Sequence, residues 1–171
     1  AREQPGSMWP KTTLGALRKD RTLSLEELER LAVVLSSCSR KIVDSGWHAT
    51  ISELTMTVFK STGHERLFDK LMLPLEGGPP DVASPDHEAR AYTEQVLAAA
   101  DDLQAYLPDV QRPGSSEGKY RAFRPGASLV AFIQPPAQEL SELRSAVDAA
   151  LPEAYAWLDE ASLHCTLRGL L

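Results

Sequence analysis

The segment ASLVAFIQPPAQELSELRSAVDAALPEAYAWLDEASLHCTLRGLL, Ala127–Leu171, decides what kind of fold this chain takes. Ala127–Ile133 is a continuous apolar run of strand length. Pro135 and Pro136 follow where proline is tolerated, at the start of a helix whose apolar face is Leu140, Leu143, Val147 and Leu151. Pro152 ends that helix. The closing residues then alternate, with Leu163, Cys165 and Leu167 apolar and His164, Thr166 and Arg168 between them. Side chains in a strand alternate faces with a period of two, so His164 and Thr166 are expected on one face, with Arg168 one pleat further along it. Strand, helix and strand make a β-α-β unit whose helix covers one face of a small sheet.

Upstream the chain reads as helical. In SLEELERLAVVLSSCSRKIVDSG, Ser24 and Glu27 stand at capping-box spacing. Leu28, Leu31, Leu35, Cys38 and Ile42 form a stripe, and Gly46 sits where a left-handed cap closes the helix. In the next stretch, Trp47 to Pro74, Ile51, Leu54 and Val58 fit a helix, although LTMTVF is rich in strand formers. Leu67, Phe68 and Leu71 continue as a short helix that ends before Pro74, and LEGGPPDVASP is a linker by composition. A second long helix is expected over 85–107, capped by Ser84 and opened by Pro85. Its stripe is Tyr92, Val96, Ala99, Leu103 and Tyr106, and Pro108 stops it. The spacings therefore predict an α+β chain: a tail over 1–21, a helical hairpin or small bundle over 22–108, a linker over 109–119 and the β-α-β unit over 120–171. The two long helices, 24–45 and 85–107, bury little by themselves. They are expected to dock on the β-α-β unit or on a protein partner.

Composition narrows the function classes. The chain has 171 residues, 43% of them hydrophobic and 25% charged, with a net charge of −6. That balance gives the whole molecule no pull toward nucleic acid or an anionic membrane. Lys119, Arg121 and Arg124 form a local basic cluster beside the final segment. No stretch approaches the roughly 20 apolar residues of a membrane span, so a soluble protein is expected. Cys38 and Cys165 fall on an apolar helical stripe and an apolar strand face, which reads as buried thiols in a reducing compartment. That compartment is the cytoplasm, or an organelle interior if Ala1 is a processed start. Ala1–Ser7 reads as an expression scar or as what a removed targeting peptide leaves. With no Cys/His ligand cluster and no glycine-rich loop after a strand, neither metal nor cofactor is expected.

The segment from about Tyr120 to Leu171 resembles the first lobe of the 2H phosphoesterases, the family of the RNA ligase-like cyclic phosphodiesterases. RPGASLVAFIQPP is similar to that family's opening strand and proline-started helix, and AWLDEASLHCTLRGLL to its motif strand with Leu-His-x-Thr-Leu. The resemblance implies metal-free histidine acid–base chemistry on a cyclic phosphate or an RNA-type phosphodiester. It implies His164 as one acid–base group, Thr166 as a phosphate clamp and Arg168 as a charge-assisted contact to substrate.

In that family two lobes each supply one such motif. The second His-x-Thr of this sequence is His48–Thr50, which follows a helix and has no apolar strand leading in. His48 therefore reads as the start of the next helix, and His64 and His87 as solvated positions at helix starts. Two function classes follow. One is a phosphoesterase, or the N-terminal portion of one, acting on RNA or a cyclic nucleotide. The other is a non-catalytic helical accessory or assembly subunit of a larger complex.

Overall fold

The computed structural model describes residues 11–77, 87–98, 101–112 and 116–170. The readings of Ala1–Ser7 and of the Ser84 cap lie outside them, as does most of the linker over 75–85.

Helix α1, Leu25–Asp44, forms as its caps and stripe predict. Ser24 Oγ accepts from Glu27 N and the Glu27 carboxylate accepts from Ser24 N, closing the capping box. Gly46 takes a left-handed φ of 67° just past the C-cap, a conformation that costs glycine no steric penalty. Leu28, Leu31 and Cys38 are buried, whereas Leu35 lies at the exposed border of the stripe.

The strand, helix and strand of the final segment form where their residues place them, β4 at Gly126–Phe132, α5 at Ala137–Ala150 and β6 at His164–Gly169. But β4 and β6 pair antiparallel, which corrects the parallel arrangement that a β-α-β unit implies. Leu140, Leu143 and Val147 give α5 its buried face. One core joins α1 and α5 through Leu28, Leu31, Cys38, Leu143, Val147 and Leu151, with Leu103 and Leu107 packed against it. Each leucine buried there contributes roughly 1.5–3 kcal/mol of hydrophobic stabilisation. The long helix thus docks on this final segment, the first of the two outcomes its narrow stripe allows.

The expected helical region over 22–108 is corrected in its middle. Glu53–Phe59 is strand β2 and Leu67–Pro74 is strand β3, paired as an antiparallel hairpin. β2 also pairs antiparallel with β4, and β4 with β6, giving a four-stranded sheet in the order β3-β2-β4-β6. The strand formers Thr55, Thr57 and Val58 prevail because β4 offers a central strand that needs partners on both sides. The expected helix over 85–107 is also divided, into α2 at His87–Ala98 and α3 at Leu103–Val110. Asp102 causes the restart, since its carboxylate accepts from Ala105 N as a new N-cap. Pro108 lies inside α3, close to its end, rather than before it.

Two further strands were not expected. β1, Gly15–Leu17, lies in the segment read as a tail and pairs with β5, Tyr155–Trp157. A Cβ on Gly15 would stand 2.8 Å from the Trp157 ring, so only glycine permits that approach. A short helix α4, Glu117–Arg121, occupies the end of the expected linker.

Candidate functional site

His164 opens β6 and stands opposite Phe132 of β4, with Thr166 opposite Val130. Directly opposed residues share a sheet face, so His164 and Thr166 do lie together, on the face that also carries Ser128 and Thr57. Arg168 does not join them. The register shifts between Leu129 and Val130, which leaves Leu167 as a bulged residue and sets Arg168 opposite Leu129. One inserted residue reverses the alternation, so Arg168 falls on the opposite face from Thr166. The expected charged contact beside Thr166 is corrected accordingly.

The residue that does reach His164 is His64. Their ring centroids lie 3.8 Å apart at an interplanar angle of 47°. His64 is 5% exposed, so the reading of it as a solvated helix-start residue is corrected. It belongs to the loop between β2 and β3. His48 stays away, exposed in the coil that links α1 to β2, with its Nδ1 3.3 Å from the Gly46 carbonyl. His87 is exposed at the start of α2, as read from the sequence.

The hydrogen bonds fix the tautomer of each ring. His64 Nδ1 lies 3.0 Å from the Thr62 carbonyl, which can only accept, so Nδ1 carries the proton and Nε2 is the acceptor. Ser128 Oγ, 3.0 Å from Nε2, is placed to donate to it, and Thr57 Oγ1 donates to the Ser128 carbonyl at 3.2 Å. Every buried donor of this cluster is then used, which avoids the roughly 1–3 kcal/mol cost of an unpaired buried polar group. His164 is held by the same local device, with Nδ1 donating to the Ser162 carbonyl at 2.7 Å. Among the described residues no hydrogen bond engages its Nε2, on a ring that is half-buried.

Both imidazoles are kept neutral. Burial, and then the charge that His164 would carry, push the His64 pKa down to about 4. Burial likewise lowers His164, opposed by its bond to the Ser162 carbonyl. A serine donating to a histidine is also the starting geometry of nucleophilic catalysis. Here, however, Ser128 is 4% exposed and Thr57 0%, so no substrate atom reaches either hydroxyl. They orient the ring.

The loop that carries His64 is clamped from several sides. Gly63 N donates to the Tyr120 carbonyl at 2.9 Å, and a Cβ on Gly63 would sit only 3.0 Å from that oxygen. His64 itself has a φ of 57°, a left-handed conformation that costs on the order of 1–3 kcal/mol for a non-glycine residue and persists where its surroundings enforce it. Arg121 makes a bidentate pair with Glu65 at 2.9 and 3.0 Å and donates to the Trp157 carbonyl at 2.8 Å. The Arg121 hydrogen bonds hold the Glu65 carboxyl below the usual carboxylate range. Arg121, read from the sequence as part of a basic cluster, is thus engaged in holding the loop.

The two threonines at alternate positions of β2, Thr55 and Thr57, were the signal for His64 in the sequence. Thr55 and Thr57 give the strand a polar inward face, and a buried polar face needs a polar partner from a neighbouring loop. Comparison with protein-family models, with curated proteins and with solved structures gives no match, so the reading of this site rests on its own geometry.

Proposed function

We propose that this chain is a 2H phosphoesterase-like protein that handles a cyclic phosphate or an RNA-type phosphodiester on the His164 face of its sheet, without a metal. The observation that carries the reading is the pair of neutral histidines in contact, with the exposed Thr166 two residues from His164 on the same strand face. A neutral imidazole with its Nδ1–H anchored is poised to accept a proton at Nε2. In hydrolysis of a 2′,3′-cyclic phosphate, His164 Nε2 takes a proton from water as its oxygen bonds to phosphorus. The P–O bond to the 2′ or 3′ oxygen breaks, and that oxygen takes a proton from solvent. Thr166 donates to a phosphoryl oxygen as charge builds there. The 3.8 Å between the rings leaves no space for a phosphate between them, so His64 is assigned to positioning rather than to proton transfer.

A second reading, a non-catalytic assembly subunit, is favoured by one observation. β3 is an edge of the sheet and exposes Phe68, Leu71, Met72 and Leu73, with exposures of 39–56%. Exposed apolar residues on a strand edge suit a protein partner. The sequence had put such a surface on helices 24–45 and 85–107, so this reading moves it to the sheet.

One assay separates the two. Hydrolysis of 2′,3′-cyclic nucleotides is measured for the protein and for His164→Gln. Loss of a true general base lowers turnover by about 100-fold or more. Equal rates in both proteins remove His164 from the mechanism, and no turnover by the unmodified protein overturns the phosphodiester reading.

A further inference from the structure

On the reverse face of β6 from the histidines lies a cavity of about 300 Å³, at the lower end of the roughly 300–1,000 Å³ of small-molecule sites. Leu163 and Cys165, the odd-numbered neighbours of His164, form one wall. Leu140 and Leu143 of α5 form the second, and Ile42 near the end of α1 with Trp47 in the coil after it the third. The surface is almost wholly apolar, so a buried polar ligand would lose its water without finding partners. An aliphatic body loses nothing by entering.

Charge enters at one place. Among the described residues Lys11 is the only charged one that lines the cavity, and it is exposed. Its aliphatic stem therefore serves as wall while its ammonium reaches water at the mouth. No ion pair occupies that ammonium among the described residues. Pro135 and Pro136, which also line the cavity, lead into α5, whose first turn carries no side-chain cap. The positive end of a helix of 14 residues thus borders the cavity that Lys11 also lines. Glu139, in that first turn, is exposed and is not part of the lining.

We propose that this cavity binds an aliphatic carboxylate of medium chain length, with its tail among Ile42, Leu140, Leu143 and Leu163 and its carboxylate at the rim beside Lys11. Thr12 ties this site to His164, since it lines the cavity and its Oγ1 donates to the His164 carbonyl at 2.9 Å. The proposal stands apart from the phosphodiester reading, because it concerns the opposite face and is tested by binding.

The probe is a series of saturated carboxylates from six to ten carbons, titrated calorimetrically, with bromine-substituted decanoate as a quencher of Trp47 fluorescence. Affinity is expected to rise roughly fourfold per added methylene. Saturable quenching is expected to lose its main component in Trp47→Phe, an exposed position whose change spares the core. The alcohol of the same length is expected to bind about two- to fivefold more weakly than the carboxylate, and Lys11→Glu to abolish that preference. Absence of saturable binding, or quenching unchanged in Trp47→Phe, would overturn the site. Equal binding of alcohol and carboxylate to the unmodified protein would overturn the assignment of an anion.

Discussion

The molecule has two interiors built on opposite terms. Between α1, α3 and α5 the buried residues are leucine, valine, cysteine and alanine, and the contacts are apolar throughout. On the sheet face that carries the histidines, the buried residues include Thr55, Thr57, Ser128 and His64, the last three tied together by hydrogen bonds. The first interior stabilises by area removed from water, which any well-shaped apolar side chain supplies. The second stabilises little, because each hydrogen bond mainly offsets the cost of burying its own partners. What it does supply is orientation, with two imidazoles fixed in tautomer and position. Stability and chemistry are therefore carried by different layers, and perturbing one should leave the other recognisable.

The largest expected effect lies in the apolar layer. Leu151 is 1% exposed, and Leu151→Ala should lower unfolding free energy by about 2–5 kcal/mol, measured in denaturant. The loss should be the same at pH 5 and pH 8, since the described core around Leu151 holds no titrating pair.

The polar layer should show the opposite behaviour. His64 titrates at 6.5 when unfolded and at about 4 in the fold. The unfolded chain then binds the extra proton first, so stability is full above pH 6.5 and falls as the pH drops toward 4. A shift of this size corresponds to at most about 3 kcal/mol. Denaturant midpoints taken across that window should decline for the unmodified protein, and the slope should flatten in His64→Gln. A flat profile in the unmodified protein would show that His64 is not held neutral by its surroundings.

The smallest effect concerns the clamp. Arg121→Gln removes the bidentate pair with Glu65, whose partner groups are partly exposed, so its cost should be only about 1 kcal/mol. Hydrogen exchange should show the 60–66 loop loosened while α1 and α5 keep their protection.

The same contrast explains what the sequence made legible. The apolar layer could be read almost residue by residue, because a stripe at helical spacing and flanking prolines act locally: α1, β4, α5 and β6 all lie where they were expected. β2 was misread because its alternation is inverted. Thr55 and Thr57 point inward, whereas Met56 and Val58 are 36% and 38% exposed, so a reading that places apolar residues inside turns the strand over. β3 was misread with it, since a strand whose apolar residues stay exposed gives no amphipathic signal. The division of the second long helix hung on one capping aspartate.

Half of the candidate site was legible for the same reason. His164 and Thr166 announce themselves by period on one strand. His64 lies a hundred residues earlier, in a hairpin loop whose existence depends on the misread strands. The bulge at Leu167, which takes Arg168 off the shared face, leaves no mark in the sequence either, because it is a property of the pairing with β4.

The central claim is that His64 and His164 form one contacting pair, both neutral and both protonated at Nδ1. Nitrogen-15 NMR of the histidine side chains reads tautomer and titration together, from pH 4 to pH 8. Both rings should appear as the Nδ1–H form at neutral pH and titrate below 6.5, with His64 the lower at about 4. A protonated or Nε2–H His64 at pH 7, or either of these two histidines titrating at 6.5 or above, would contradict the pair.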